Sequence, residues 1–388
     1  MNTAPSSRLD DAFSLDWLLA QDFPPIKYIV PGIIPEGVTV IAGAPKAGKS
    51  WMVLDLALCV AGGDPTLCEL QAGEKRPVMY VALEDGPRRL KMRTNILGVN
   101  DGYRYKRLTL KTAIEPGQAI STIREYIDRH HGDNPVVIVD TLAKVMPTPV
   151  SGVSAYAADY AAMTQFKLIV ADYPGSSIIL VHHTRKMGAE DFSDTVSGTQ
   201  GITGAADTTV VLKRARGEAT GTLFVTSRDA AEGEYSVTLD GHRWRLDGGT
   251  LAEAAKAAVE RKATDGLGDQ MAEVIRFVNG REKTTAGDLA AALGLEANAA
   301  RTYLSRAVES GRISKSGRGV YVPNTPVASV ATVASEEDVA SPRTEQGDDN
   351  ATHATVATPP SEVLEVIESI VSKLPPLPSP EPDQGGLF

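Results

Sequence analysis

One eight-residue run constrains this 388-residue chain more than any other: Gly43-Ala44-Pro45-Lys46-Ala47-Gly48-Lys49-Ser50. It follows the β-branched run that begins at Thr39 and leads through Trp51 into an apolar segment, so it lies where a strand turns into a helix. Glycine lets the backbone aim successive N–H groups inward, and the following helix N-terminus adds partial positive charge. The pattern G-x-x-x-x-G-K-S is thus a P-loop, expected to cradle the phosphates of ATP with residues 43–51. Lys49 would reach the β- and γ-phosphates, and the Ser50 hydroxyl would ligate Mg²⁺. A tight turn with incidental lysines is the alternative, but the strand before and the helix after both stand where the motif requires them.

The rest of such a site must come from strand ends of an open α/β sheet. "NPVVIVDTL" ends a buried strand in Asp140, placed to hold Mg²⁺ through water. "VMYVALEDGPRRLKMR" puts Glu84 and Asp85 at another strand end. Glu84 is the expected carboxylate that orients and deprotonates the attacking water, while Asp85 is expected to cap the next helix. "SSIILVHHTRK" ends a strand in His182 and His183; alternation turns only one of them to the site, and His183 is the expected γ-phosphate sensor. A zinc site at this pair lacks any Cys or acid at metal spacing.

Strand-like and helix-like runs alternate up to about residue 250, which predicts an α/β fold with a mostly parallel sheet. Expected strands are Val38 to Ala42, Val78 to Leu83, Val136 to Asp140, Ser177 to His182 and Thr208 to Leu212, followed by an edge meander from Thr222 through "EYSVTLDGHRWRL". Residues 251–265 read as an Ala- and Lys-rich linker. The net charge is −10, yet from Ala331 onward there are eleven acids against two bases, so the acidity belongs to the tail and says nothing against DNA binding by the remainder. No apolar run approaches the ~20 residues that span a bilayer. The N-terminus lacks the pattern of a secretory signal, and the two cysteines, Cys59 and Cys68, have no metal spacing. A cytoplasmic protein without membrane contact is expected.

With these segments in order, residues 1–250 resemble the RecA-like ATPase core of RepA-type hexameric replicative DNA helicases of plasmids and phages. The resemblance rests on "GAPKAGKS", "VALEDGPRRLKMR", "VVIVDTLAKV", "LVHHTRK" and "SGTQGITGAADTTVVLKR", with the lead-in "DWLLAQDFPPIKYIVPGIIPEGVTVIAG". It implies a homo-oligomeric ring, a hexamer, with nucleotide sites shared between neighbours. Arg228 in "FVTSRDAAEGEY" would then be the neighbour's arginine at the γ-phosphate, with Lys213 and Arg214 in reserve. Two loops, one after Asp140 and one over residues 185–201, would face single-stranded DNA in the channel. Lys144, Arg185 and Lys186 would follow its phosphates. A lid over the nucleotide is the alternative reading of these loops.

Residues 266–323 read as three helices and a hairpin, the order of a winged helix-turn-helix. Arg301 and Arg306 on the third helix, with Lys315 and Arg318 on the wing, would dock on duplex DNA; many such modules bind proteins instead. Residues 324–388 have the composition of a disordered acidic tail. Its last residues, with Gln384, Leu387 and Phe388, resemble peptides that insert into bacterial sliding clamps. Three functions fit: an ATP-driven ring helicase, an ATP-gated DNA-binding initiator or regulator, and a RecA-like recombination mediator.

Overall fold

The computed structural model describes residues 12–71, 73–147, 154–184, 200–264 and 268–324. In chain order the strands are β1 (Tyr28–Val30), β2 (Ile34–Pro35), β3 (Gly37–Gly43), β4 (Val78–Ala82), β5 (Leu108–Lys111), β6 (Val136–Asp140), β7 (Ser177–His183), β8 (Thr208–Lys213), β9 (Thr220–Ser227), β10 (Gly233–Asp240) and β11 (Arg243–Leu246). Three more follow: β12 (Thr284–Thr285), β13 (Ile313–Gly317) and β14 (Val320–Pro323). The helices are α1 (Leu15–Leu19), α2 (Lys49–Gly62), α3 (Pro87–Ile96), α4 (Ala119–His130), α5 (Ala155–Asp172), α6 (Gln200–Ala205), α7 (Leu251–Thr264), α8 (Asp269–Asn279), α9 (Ala286–Leu293) and α10 (Ala297–Glu309).

Nine strands form one sheet in the order β11-β10-β9-β8-β3-β7-β6-β4-β5. From β8 to β5 all neighbours are parallel, and β9, β10 and β11 complete the sheet as an antiparallel meander. The central strands are apolar on both faces because helices cover both. Val38, Val40, Val81, Val139 and Leu180 pack with Ile123 and Ile127 of α4 and Phe166 of α5. Ile41, Tyr80, Ile138 and Ile179, one position out of phase, pack with Val53, Leu54 and Ala57 of α2. The period of two thus divides each strand between two cores and fixes its register.

Strand β7 lies between β3, which carries the P-loop, and β6, which ends in Asp140. All three run parallel, so their carboxyl ends meet along one edge, where ligands bind in this class of sheet. Two features go beyond what the sequence pattern shows. Strand β5, Leu108–Lys111, is a short edge strand with two exposed positions and little apolar signal. The stretch expected as a linker, 251–265, holds the helix α7 over Leu251–Thr264, with Ala254 and Ala258 buried. Its Arg261 donates to Gly221 O at 2.6 Å.

Residues 268–324 hold α8, α9 and α10 and the three-stranded antiparallel sheet β12-β14-β13. Val274, Ile275, Val278, Leu289, Leu304 and Ile313 form their core. Thr285 and Asp288 make a reciprocal capping box at the start of α9, and Gly294 ends it with φ 63°. Residues 325–388 lie outside the described residues.

Candidate functional site

The P-loop leaves the carboxyl end of β3 and is shaped by what packs behind it. A Cβ on Gly43 would fall 2.6 Å from Leu212 O of β8, so this position admits no side chain. Gly48 has φ 107°, and a Cβ there would also meet the Trp244 ring at 3.0 Å. Gly48 is the residue before α2, so the loop ends on a helix N-terminus.

Lys49 is buried, with 3 % of its surface exposed. Its Nζ donates to Gly43 O at 2.7 Å and Ala44 O at 3.0 Å, and lies 3.1 Å from His183 Nδ1. Burial pulls its pKa from 10.5 down to about 8, against the opposing charges of Asp140 and Glu84. Asp140, on the neighbouring strand end, is also buried and accepts from Tyr80 Oη at 3.0 Å through Oδ2. Its Oδ1 is buried with no hydrogen-bond partner. Burial raises its pKa; the Ser50 and Tyr80 hydroxyls oppose the shift, and Glu84 and Asp85 add to it. The Asp140–Thr141 peptide is cis.

An orphaned carboxylate oxygen costs about 1–3 kcal/mol when buried, so it asks for a ligand. A hard oxygen donor of this kind beside the Ser50 hydroxyl fits Mg²⁺, which keeps several waters and takes few protein ligands. Among the described residues no group of three or more His, Cys, Asp or Glu could hold a metal by itself.

Glu84 follows β4 with its side chain 43 % exposed, and its Oε1 is 3.6 Å from His183 Nε2. His183 therefore spans Lys49 and Glu84 with its two ring nitrogens. His182 faces the other way, and burial, then His183 and Lys49, push its pKa down to about 4. Asp85 is not a cap. The residue before α3 is Gly86, whereas the buried Asp85 carboxylate pairs with Arg89 at 2.9 Å and with Arg93. The side chains of α3 reach back to its preceding loop, so Asp85 anchors the segment that presents Glu84. Trp51 is held between neighbours: its ring lies 4.2 Å from the His242 ring, and Arg93 sits 5.1 Å over it.

Lys49, Ser50, Glu84, Asp140 and His183 thus converge at one sheet edge. Arg228 does not join them. It follows β9, whose end pairs with the start of β8 (Thr208 opposite Ser227), and its N donates to Asp207 O. It lies at the amino edge, about 13 Å along β8 from Leu212 beside the P-loop. Arg214 is on the near edge, with Nη2 3.0 Å from Lys46 O of the same chain. Lys213 is exposed, 6.0 Å from the Phe224 ring. Lys144, Arg301, Arg306, Lys315 and Arg318 are exposed. Arg185, Lys186, Gln384, Leu387 and Phe388 lie outside the described residues. Trp244, buried against Gly48, carries no local signal in the sequence, where it is one aromatic in a polar meander about 200 residues from the loop.

Residues 3–189 match the family model described as "AAA domain". The chain is similar to the DNA repair protein RadA of Halalkalibacterium halodurans, 26 % identical over 159 residues, covering 41 % of this chain and 30 % of that protein. It is also similar to the DNA repair protein RadA of Streptococcus pneumoniae, 24 % identical over 157 residues, covering 40 % of this chain and 32 % of that one. The chain thus spans about a third of the length of these relatives. Two solved structures are similar: an ATPase domain (TM-score 0.41, 13 % identity, 54 % of this chain and 84 % of that one) and the RadB recombinase (TM-score 0.39, 17 % identity, 60 % and 96 %). No helix among the described residues is long and apolar enough to cross a membrane. The sheet order, with one strand between those carrying the P-loop and Asp140, thus gives an α/β architecture built around a P-loop, and residues 3–189 of it are similar to the AAA domain.

Proposed function

We propose that the chain is a DNA-directed ATPase, a ring-forming helicase or translocase of plasmid or phage replication, with ATP and Mg²⁺ at the carboxyl edge of the sheet. One observation carries the hydrolytic part: Lys49 Nζ, the orphaned Asp140 oxygen beside Ser50 and the Glu84 carboxylate beside His183 converge there. The loop amides and the Lys49 ammonium bind the phosphates. Ser50 and Asp140 would hold Mg²⁺, which when bound neutralises charge on the phosphate oxygens. Glu84 orients a water in line with the γ-phosphorus and accepts its proton as the bond to the β-phosphate oxygen breaks, yielding ADP and phosphate. His183 stands between Lys49 and Glu84, placed to report the γ-phosphate to both.

Arg228, exposed at the amino edge, would act toward another subunit's nucleotide in a ring of six. Lys144 and the segment holding Arg185 and Lys186 would meet single-stranded DNA. Residues 268–324, as a winged helix-turn-helix, would meet duplex DNA through Arg301, Arg306, Lys315 and Arg318, and Gln384, Leu387 and Phe388 would meet a sliding clamp. A second reading, a recombination or repair mediator, is favoured by the RadA relatives, which are named for DNA repair.

Forked DNA unwinding by the full chain, wild type beside Glu84→Gln, with particle images of both, tests the proposal. Strand separation by closed rings, lost in the variant, supports a helicase. Open filaments on DNA without unwinding favour the mediator, and site-specific duplex binding without unwinding favours an initiator.

A further inference from the structure

A loop whose N–H groups converge on an anion turns its carbonyls outward, and donors from the protein can hold those carbonyls in that orientation. Here Gly43 O accepts from Thr184 N at 3.1 Å as well as from Lys49, and Ala44 O from Ala47 N at 3.2 Å. Further support comes from sequence far away. Lys46 O, at the exposed tip, accepts from Arg214 Nη2 at 3.0 Å, and Gly48 O, which already accepts from Trp51 N at 3.2 Å and Met52 N at 3.1 Å, takes an additional donor in Trp244 Nε1 at 3.2 Å. Lys46 is the tip of the loop and has φ 65°, a conformation that a side-chain-bearing residue keeps only when its surroundings enforce it.

Arg214 is itself fixed. Its Nη1 donates to Glu218 O at 2.9 Å across the turn between β8 and β9, and its guanidinium lies 5.7 Å from the Trp244 ring. Trp244 is 1 % exposed, and a Cβ on Gly221 of β9 would meet its ring at 3.3 Å. The turn, β9 and β11 therefore form one block behind the loop.

We infer that Arg214 and Trp244 are positioning residues that brace the P-loop within one subunit, holding its carbonyls outward so that the phosphate cradle is preformed. This rests on the reading of residues 43–51 as the nucleotide site. It assigns Arg214 a role toward its own loop instead of a reserve role at a neighbour's γ-phosphate. Preorganisation of this kind strengthens binding of ATP and ADP alike, so its loss raises Kd and KM together and spares kcat. An arginine at the γ-phosphate would do the reverse, lowering kcat with ADP affinity intact.

The test is calorimetric binding of ADP with Mg²⁺ to the full chain, beside steady-state ATP hydrolysis. For Arg214→Ala the expected result is a roughly tenfold rise in both the ADP Kd and the ATP KM, with kcat within about threefold of wild type. Arg214→Lys, which keeps a cation with one donor group for two carbonyls, recovers part of the loss. An unchanged ADP Kd, or a kcat reduced about 100-fold at unchanged Kd, overturns the inference. If circular dichroism shows Arg214→Ala unfolded, Trp244→Phe takes its place: it keeps a ring under Gly48 without the N–H, and unaltered ADP binding by it overturns the inference equally. Failure of the wild type to bind ADP or ATP would defeat the nucleotide site itself, whereas normal binding by wild type and variants defeats only the brace.

Discussion

At the amino edge of the sheet, Asp207 accepts from Val38 N at 3.0 Å through Oδ2 and pairs with Lys167 at 2.7 Å through Oδ1, with Arg228 3.9 Å away. At the carboxyl edge, Asp140 is as firmly placed, yet one of its oxygens has no hydrogen-bond partner, and the nearby Lys49 ammonium spends its protons on loop carbonyls and a histidine. The two edges use the same residue types. One closes its charges on each other and ties α5 and β8 to β3; the other keeps opposite charges apart across a gap that an anion and a divalent cation would bridge. Buried charge left partly unsatisfied costs stability, and at the carboxyl edge a bound phosphate and cation would relieve that cost.

The comparison predicts unequal losses. Lys49→Ala should abolish measurable ATP hydrolysis while the chain stays folded, since removing a buried cation relieves a desolvation cost; hydrolysis near the wild-type rate would break the assignment of this edge. Glu84→Gln should keep ATP binding but lower kcat by about 10²- to 10⁴-fold, read as a KM-against-kcat split. Asp207→Ala should do the opposite. It leaves Lys167 and the Val38 N–H without their acceptor and should destabilise by about 2–3 kcal/mol in denaturant unfolding, with the ATP KM within about twofold. A Lys49-like loss of hydrolysis in folded Asp207→Ala would erase the distinction between the edges.

A smaller effect sharpens it. Lys49 titrates at about 8 in place of 10.5 because burial disfavours its ammonium. Between these values the unfolded chain holds a proton that the folded chain has lost, so this group's contribution to stability rises with pH across that window. Phosphate favours the ammonium, so ADP binding at about pH 9 should take up protons. Calorimetry in two buffers of different ionisation enthalpy reads this; uptake undiminished in Lys49→Met, or no uptake in wild type, contradicts it.

How much of this could be read beforehand follows from how local each signal is. The P-loop, Asp140 and the facing of His183 are short-range patterns of strand end, glycine and period two, and the structure places them together. For Asp85 the sequence suggests a cap, whereas its ion pairs with Arg89 and Arg93 depend on how α3 folds back over its own loop. Helix α7 is faint in the sequence because only Ala254 and Ala258 mark its buried face, and alanine carries little hydrophobic signal. Trp244 and Arg214 act on the loop through a meander that joins the sheet far from it in sequence, a pairing that no local periodicity encodes.

The most direct test titrates ATP into the Glu84→Gln chain, once with Mg²⁺ and once with a chelator. The account predicts one nucleotide bound per chain with the cation and affinity reduced by about tenfold or more without it, because the free Asp140 oxygen and Ser50 would then have nothing to hold against the phosphates. No binding under either condition, or equal binding by a chain that also carries Lys49→Ala, would contradict it.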